Sequence, residues 1–370
     1  MPLPLFDCRL DPEAIGAMAP SLAAGQLAAG PHIALLEEAL SARMGGRPVV
    51  ALSDSTQAIE AALICAGVGP GSDVLTLSYN CMSSNSAITY AGAKPVWVDI
   101  DPQTAAMDVA DAERAITPET QALLVYHAAG YPADLRAIRS LCEARGLTLV
   151  EDANNALGAK LSDGSAVGTV GDFAVFSFYA NRQVNAIEGA GLVCPDEAVA
   201  HRVRAMRRFG IDQSRFRDAD GEINSACDIP RIGLSATLPN THAALAMHQL
   251  GLLDARLEQT RANAAAIGRA LQEVAGLTLV QPAADGKSAY WALLLLCERR
   301  DLLMRGLKAL GVGCSKLHQP NHQYSGFAAV ARPLPQTAFF MERILAVPCG
   351  WWMGEGDCEM VAAAIREILA

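Results

Sequence analysis

Glu151-Asp152 closes the apolar run Leu147–Val150, which reads as a strand, and leads into Ala153-Asn154-Asn155. An acid at the carboxyl end of a strand stands where ligands gather in open α/β sheets. Asp152 equally suits the N-cap of a following helix. Asp54-Ser55-Thr56 links a second apolar run, Pro48–Leu52, to a stretch of helical period, so its amides and hydroxyls would meet an anion at a helix N-terminus. Arg182, in Ser177-Phe178-Tyr179-Ala180-Asn181-Arg182, carries a guanidinium that stays protonated and is a poor nucleophile. His127 follows the strand-like Ala122–Tyr126 and could approach a site, although a lone histidine of this kind is commonly a hydrogen-bonded structural residue. His318 and His322, with Cys314 nearby, have the residue types of a metal site, but Pro320 interrupts the helix that would align the imidazoles, so no metal is expected.

The elements that position these residues alternate. Helical spacing at Ile33, Leu36, Leu40 and Met44 precedes the strand at 48–52, and Ser53–Val68 returns to helical period. Strands are predicted at 74–77, 95–100, 122–126 and 147–151, with helices at 83–90, 110–116 and 133–145 between them. Such alternation builds a mainly parallel sheet covered on both faces. Shorter strands at 174–178 and 191–194 and a helix at 198–208 follow, then a polar loop over 215–229. Helices at 240–250 and 252–274 lead to a C-terminal part with strands at 290–296 and 345–348 and helices at 301–310 and 357–369. The division expected is an arm at 1–24, a large domain at 25–250 and a smaller α/β domain at 251–370.

From about Gly30 onward, these motifs resemble the nucleotide-sugar aminotransferases of the type I pyridoxal phosphate (PLP) fold, nearest to the perosamine-synthase-like branch. The anchors are Glu151-Asp152, Ser177-Phe178, Glu188-Gly189 and the stretch from Ala243-Ala244 to Gln249-Leu250. The resemblance implies a homodimer acting on a nucleotide-linked keto-deoxy sugar in polysaccharide or glycoside biosynthesis. It gives Asp152 the protonated ring nitrogen of PLP, Asn155 the ring hydroxyl, and Ser55, Thr56 and Ser177 the phosphate. Glu188 would support the loop, and the His318 segment would reach toward the sugar.

The departures cluster on the same ligand. Arg182 stands where the family carries the lysine that bonds PLP covalently. Asp54 replaces a glycine beside the phosphate, where a unit charge about 5 Å away costs about 3 kcal/mol at an effective dielectric near 20, unless Asp54 turns away as an N-cap. Cys81 takes the place of a stacking aromatic, with Tyr79 two residues off, a loss of roughly 0.5 to 1.5 kcal/mol. Ser235 and Thr237 replace residues that complete the partner subunit's site. Lys160, the nearest upstream lysine, has no motif to promote it. Three readings follow: PLP or its amine form (PMP) held noncovalently, as in relatives that dehydrate sugars with histidine in place of lysine; loss of the cofactor, with Arg182 gripping an anionic group or pairing with Asp152; or exchange of a natural lysine for Arg182. Without the lysine, His127 and His318 are the candidate bases. A catalytically inactive paralogue that keeps the dimeric fold is a further alternative.

Composition bounds the partners. The 370 residues are 51% hydrophobic and 18% charged with net charge −10, enough for a large core and without the basic runs that replace counterions on nucleic acid. No apolar run nears the roughly 20 residues needed to span a bilayer, and Met1–Met18 lacks a secretory pattern. Ten cysteines without a Cys-x-x-Cys pair read as reduced thiols in cytoplasm.

Overall fold

The computed structural model describes residues 2–330 and 332–370. Helices α1 (Pro12–Ala23) and α2 (Pro31–Arg43) precede β1 (Val49–Leu52), α3 (Ser55–Cys65), β2 (Asp73–Leu77), α4 (Met82–Tyr90), β3 (Lys94–Val98) and the small ribbon β4 (Ile100–Asp101) with β5 (Ala106–Met107). Next come α5 (Val109–Ala115), β6 (Thr120–Tyr126), α6 (Leu135–Arg145), β7 (Thr148–Asp152), β8 (Phe173–Ser177), β9 (Ala190–Val193) and α7 (Glu197–Met206). The chain ends with α8 (Asn240–Gly251), α9 (Leu253–Ala270), β10 (Leu277–Leu279), β11 (Leu293–Cys297), α10 (Arg300–Ala309), α11 (Pro335–Arg343), β12 (Ile344–Val347) and α12 (Asp357–Leu369).

Seven strands form one sheet in the order β1-β9-β8-β7-β6-β2-β3, parallel except for β9, which runs against both neighbours. Four-residue and five-residue strands buried along their whole length, such as Val49–Leu52 and Phe173–Ser177, need apolar cover on both faces. Two clusters supply it: Leu75, Leu123 and Leu149 on one side, Val50, Leu124 and Val150 on the other. A second, antiparallel sheet, β10-β11-β12, packs with Ile267, Leu303 and Ile365 in a core of its own. This is the mixed α/β architecture that the resemblance implies, a large mainly parallel sheet plus a smaller α/β part near the C-terminus.

The register brings the carboxyl ends of the strands together. Tyr126 lies opposite Asp152 across β6 and β7, and Asp152 opposite Val175 across β7 and β8, so Asp152 and Ser177 end neighbouring strands at one edge. Besides the β4–β5 ribbon, β10 and α11, which the sequence reading left unassigned, two elements differ from expectation. The strand predicted from Tyr290 begins at Leu293, because Tyr290 has φ +50° and cannot continue an extended chain. Pro12–Ala23 forms a helix that the sequence reading left unassigned; Asp11 caps it, and it packs on α8.

Candidate functional site

A cavity of about 820 Å³ opens at that sheet edge. The turn from β1 into α3 supplies Ser53, Asp54, Ser55 and Thr56; the turn from β2 into α4 supplies Cys81 and Ser83; the segment after β8 supplies Ser177, Tyr179, Asn181, Arg182 and Glu188. Thr237, Pro239 and His242 close one side, and Trp291, Leu317 and His318 another. The first three groups meet here because they follow the carboxyl ends of β1, β2 and β8, and the entry to α8 and loops of the C-terminal part close over them.

Asp54 turns its carboxylate back onto α3, accepting the Gln57 amide at 3.0 Å, while Ser55 and Thr56 occupy the first helical turn. Behind the cavity wall Asp152 is fully buried. Its Oδ2 accepts from Asn80 Nδ2 at 2.9 Å and its Oδ1 from the Asn154 amide at 3.3 Å. Burial raises its pKa above the usual carboxylate value, and those hydrogen bonds work against the rise. Asp152 does not cap a helix: the residues that follow form turns. Asn155 accepts the Tyr126 hydroxyl at 2.9 Å on Oδ1, leaving Nδ2 enclosed and without a partner among the described residues.

Tyr126 extends this chain to His318, whose Nε2 lies 3.1 Å from the phenol oxygen. The phenol proton is committed to Asn155, so His318 is the donor of the pair and carries its proton on Nε2. Burial, reinforced by the charge of Arg182, pulls the His318 pKa down to about 3. His322 turns away to Ser78 Oγ at 2.5 Å, so the two imidazoles serve different partners.

His127 is not in the cavity, contrary to its candidacy as a base. Its Nδ1 accepts the Ala133 amide at 3.1 Å, and its Nε2 then donates to Glu151 at 3.2 Å. Glu151 also accepts the amides of Gly168, Val170 and Gly171. Both residues are completely buried and fasten the loop before β8. His127 reads as structural because it shares the face of Glu151, whereas its neighbour Tyr126 shares the face of Asp152.

Arg182 does not form an ion pair with Asp152. Its Nη1 donates to Asn181 Oδ1 at 2.5 Å, and its guanidinium lies 4.7 Å from the Trp291 ring centroid. Its pKa is lowered by burial, with Tyr126, Cys81 and Asp152 acting the other way. Glu188 lines the cavity without a side-chain hydrogen bond among the described residues; burial and then the charge of Asp54 raise its pKa. The following Gly189 has φ +153°, and a Cβ there would stand 2.9 Å from Leu238 Cδ1. Cys81 lines the cavity and accepts a hydrogen bond from Ser83. Tyr79 is buried in the core with its hydroxyl on the Lys316 carbonyl, so it cannot stand in for Cys81. Ser235 is exposed and outside this subunit's cavity, with its carbonyl accepting from Gln57; Thr237 is the residue of that pair that faces in. Lys160 is exposed on its hairpin, where it bridges Ala166 and Lys287.

The sequence reading missed Asn80, Tyr126 and Trp291. Tyr126 had a signal, since period-2 alternation makes it, and not His127, the partner in facing of Asp152. Trp291 had none: its Nε1 donates to the Asn181 carbonyl at 2.8 Å across 110 positions of sequence.

The residues present fit PLP in several respects. Ser55, Thr56 and Ser177 offer hydroxyls beside a helix N-terminus, Asp152 has acceptor capacity left, and Asn155 holds an unspent buried donor. Residues 9–366 match the family described as the DegT/DnrJ/EryC1/StrS aminotransferases. The structure is similar to AtS13 from Actinomadura melliaura (TM-score 0.93, 31% identity, 99% of this chain and 98% of that one). It is also similar to the sugar aminotransferase CalS13 from Micromonospora echinospora (TM-score 0.92, 29% identity, 99% of each chain). A third similar structure is DesI in the presence of its TDP-sugar product (TM-score 0.88, 29% identity, 99% of this chain and 92% of that one). No helix among the described residues is long and apolar enough to cross a membrane.

Proposed function

This chain belongs to the DegT/DnrJ/EryC1/StrS aminotransferase family, and from that premise we propose that it binds a nucleotide-linked keto-deoxy sugar beside PLP or PMP held without a covalent bond. Arg182 takes the place of the family lysine, so lysine-dependent transamination is not its chemistry. The observation that carries this reading is the lining of the cavity: among the described residues it contains Arg182 and no lysine.

When bound, the cofactor's pyridinium ring supplies an electron sink. Asp152, kept in place by Asn80, would hold the ring nitrogen's proton, and that positive partner favours the ionised carboxylate that burial otherwise opposes. Ser55, Thr56 and Ser177 would hold the phosphate, and Asn155 Nδ2 would donate to the ring oxygen. Cys81 lies beside them in the cavity wall. His318 donates to Tyr126 and stays neutral, so it orients ligand hydroxyls and is not the base. Glu188, unpartnered and facing the cavity, is the group that takes up and returns a proton.

The TDP-sugar seen with DesI supports the nucleotide-sugar assignment. The working unit is a cytoplasmic homodimer acting on small molecules in polysaccharide or glycoside biosynthesis, with domains at 25–250 and 251–370 and an arm at 1–24. One observation favours a second reading, a PLP-free chain that still recognises the sugar nucleotide: Asp54, although its carboxylate is turned back onto the Gln57 amide, leaves a negative charge beside the phosphate-binding turn. Calorimetric titration of the full chain with PLP and PMP separates the two. Saturable binding that leaves no adduct after borohydride treatment supports the first; no heat at millimolar cofactor selects the second.

A further inference from the structure

Arg182 is the only lysine or arginine lining the cavity among the described residues, and it is held at fixed orientation. Its Nη1 donates to Asn181 Oδ1, the Asn181 carbonyl accepts from Trp291 Nε1, and the Trp291 ring lies under the guanidinium, which closes a small cycle of contacts. Trp291 is itself stacked on Phe6, with centroids 4.1 Å apart and planes 11° from parallel. A guanidinium so placed loses little freedom when it binds.

The cycle uses one corner of the guanidinium. Nε is enclosed by protein, and Nη2 has no partner among the described residues and is not enclosed. Nη2 is therefore the corner of the guanidinium that a ligand reaches, one charge-assisted donor for an anion's oxygen. We propose that Nη2 seats a carboxylate, and that the ligand of the cavity is a carboxylate-bearing sugar of the uronate class. This rests on the reading that the cavity takes a nucleotide-linked sugar. A carboxylate fits better than a phosphate for two reasons. Ser55, Thr56 and Ser177 form a separate set of phosphate-type donors, and Asp54 and Glu188 line the same cavity and repel a dianion more than a monoanion.

The test is calorimetric titration of the full-length protein with UDP-glucuronate, UDP-glucose, free glucuronate and inorganic phosphate. UDP-glucuronate should bind at least about tenfold more tightly than UDP-glucose, the size expected for a charge-assisted pair. Arg182→Gln should abolish that preference while keeping the wild-type melting temperature. Trp291→Phe, which keeps a ring but removes the donor to Asn181, should reduce it part of the way. Should a variant fail to fold, the wild-type comparison of the two nucleotide sugars still decides. Equal affinities overturn the proposal, as does phosphate binding that depends on Arg182. Free glucuronate binding through Arg182 with neither nucleotide sugar binding keeps the carboxylate seat and removes the nucleotide-sugar reading; no binding by any probe removes both.

Discussion

Arg182 differs from a lysine in one decisive respect: it cannot surrender a proton and become a nucleophile. Arg182→Lys should therefore gain a covalent bond to added PLP, seen as a visible band and as a borohydride-stable mass increase. A variant that stays colourless with PLP would show that position 182 is not the family's lysine position. His318 gives a prediction of a different kind. It stays neutral in the folded chain down to about pH 3, whereas an unfolded histidine takes up a proton below about 6.5. Between those values the unfolded chain binds the extra proton, so the contribution of a neutral His318 is complete above pH 6.5 and falls as pH drops, by about 1.4 kcal/mol per unit. Asp152, whose pKa is raised, has the opposite sign, losing stability as pH rises from its unfolded value. Urea unfolding of wild type and His318→Asn side by side cancels Asp152. The stability difference should shrink with falling pH below 6.5, and a constant difference would rule out the burial assigned to His318. At this scale the sequence showed which side chains had useful chemistry but only partly where they pointed. Asp152, Ser177 and Arg182 were legible because they end strands or follow them directly. His127 was misplaced by one residue's alternation, and Trp291 reaches Asn181 through a contact that no local pattern encodes.

The α3 helix shows how one element reconciles a local rule with the cavity's electrostatics. Asp54 satisfies the orphan amide of Gln57, which is worth about 1 kcal/mol to the helix. The same carboxylate also lines the cavity beside Ser55 and Thr56, where it opposes an incoming phosphate. Asp54→Asn keeps an acceptor for the Gln57 amide and removes the charge. PLP affinity should rise about tenfold after allowance for solvent screening, while the melting temperature stays within about 2 °C. An unchanged affinity would mean that no phosphate comes near α3. The parallel strands were legible for the reason that makes them parallel, since strands buried on both faces are continuous apolar runs. The arm helix α1 was not, because Ile15 and Leu22 are exposed and its stripe is one of small residues, Ala14 and Ser21, against α8. Nor was the break at Tyr290, where a left-handed residue interrupts an otherwise good strand pattern.

The whole molecule leaves one long segment apolar on the outside. Between α7 and α8, Ile223 is 62% exposed and Ile232 80%, and Phe209 is exposed as well. The segment is not loose: Leu234 donates to the Met206 carbonyl, and a Cβ on Gly210 would lie 2.0 Å from the Arg231 oxygen. The homodimer proposed above would cover such side chains if this segment forms its interface. The same segment carries Thr237 and Pro239 into the cavity, so the outer face and the ligand site are continuous. Sedimentation equilibrium should accordingly find a dimer, and Ile232→Glu should convert it to monomer by placing a charge in the covered surface. Because Ile232 makes so little contact within its own chain, the monomer's intrinsic stability should change by no more than about 0.5 kcal/mol, so loss of the dimer would not be unfolding under another name. Sugar-nucleotide affinity should fall in the same variant, since Ser235, exposed and outside this cavity, lies on the segment that the proposed partner would cover. A monomer that binds as tightly as the dimer would instead make each cavity complete in one chain, and would leave Ser235 without a role in any site.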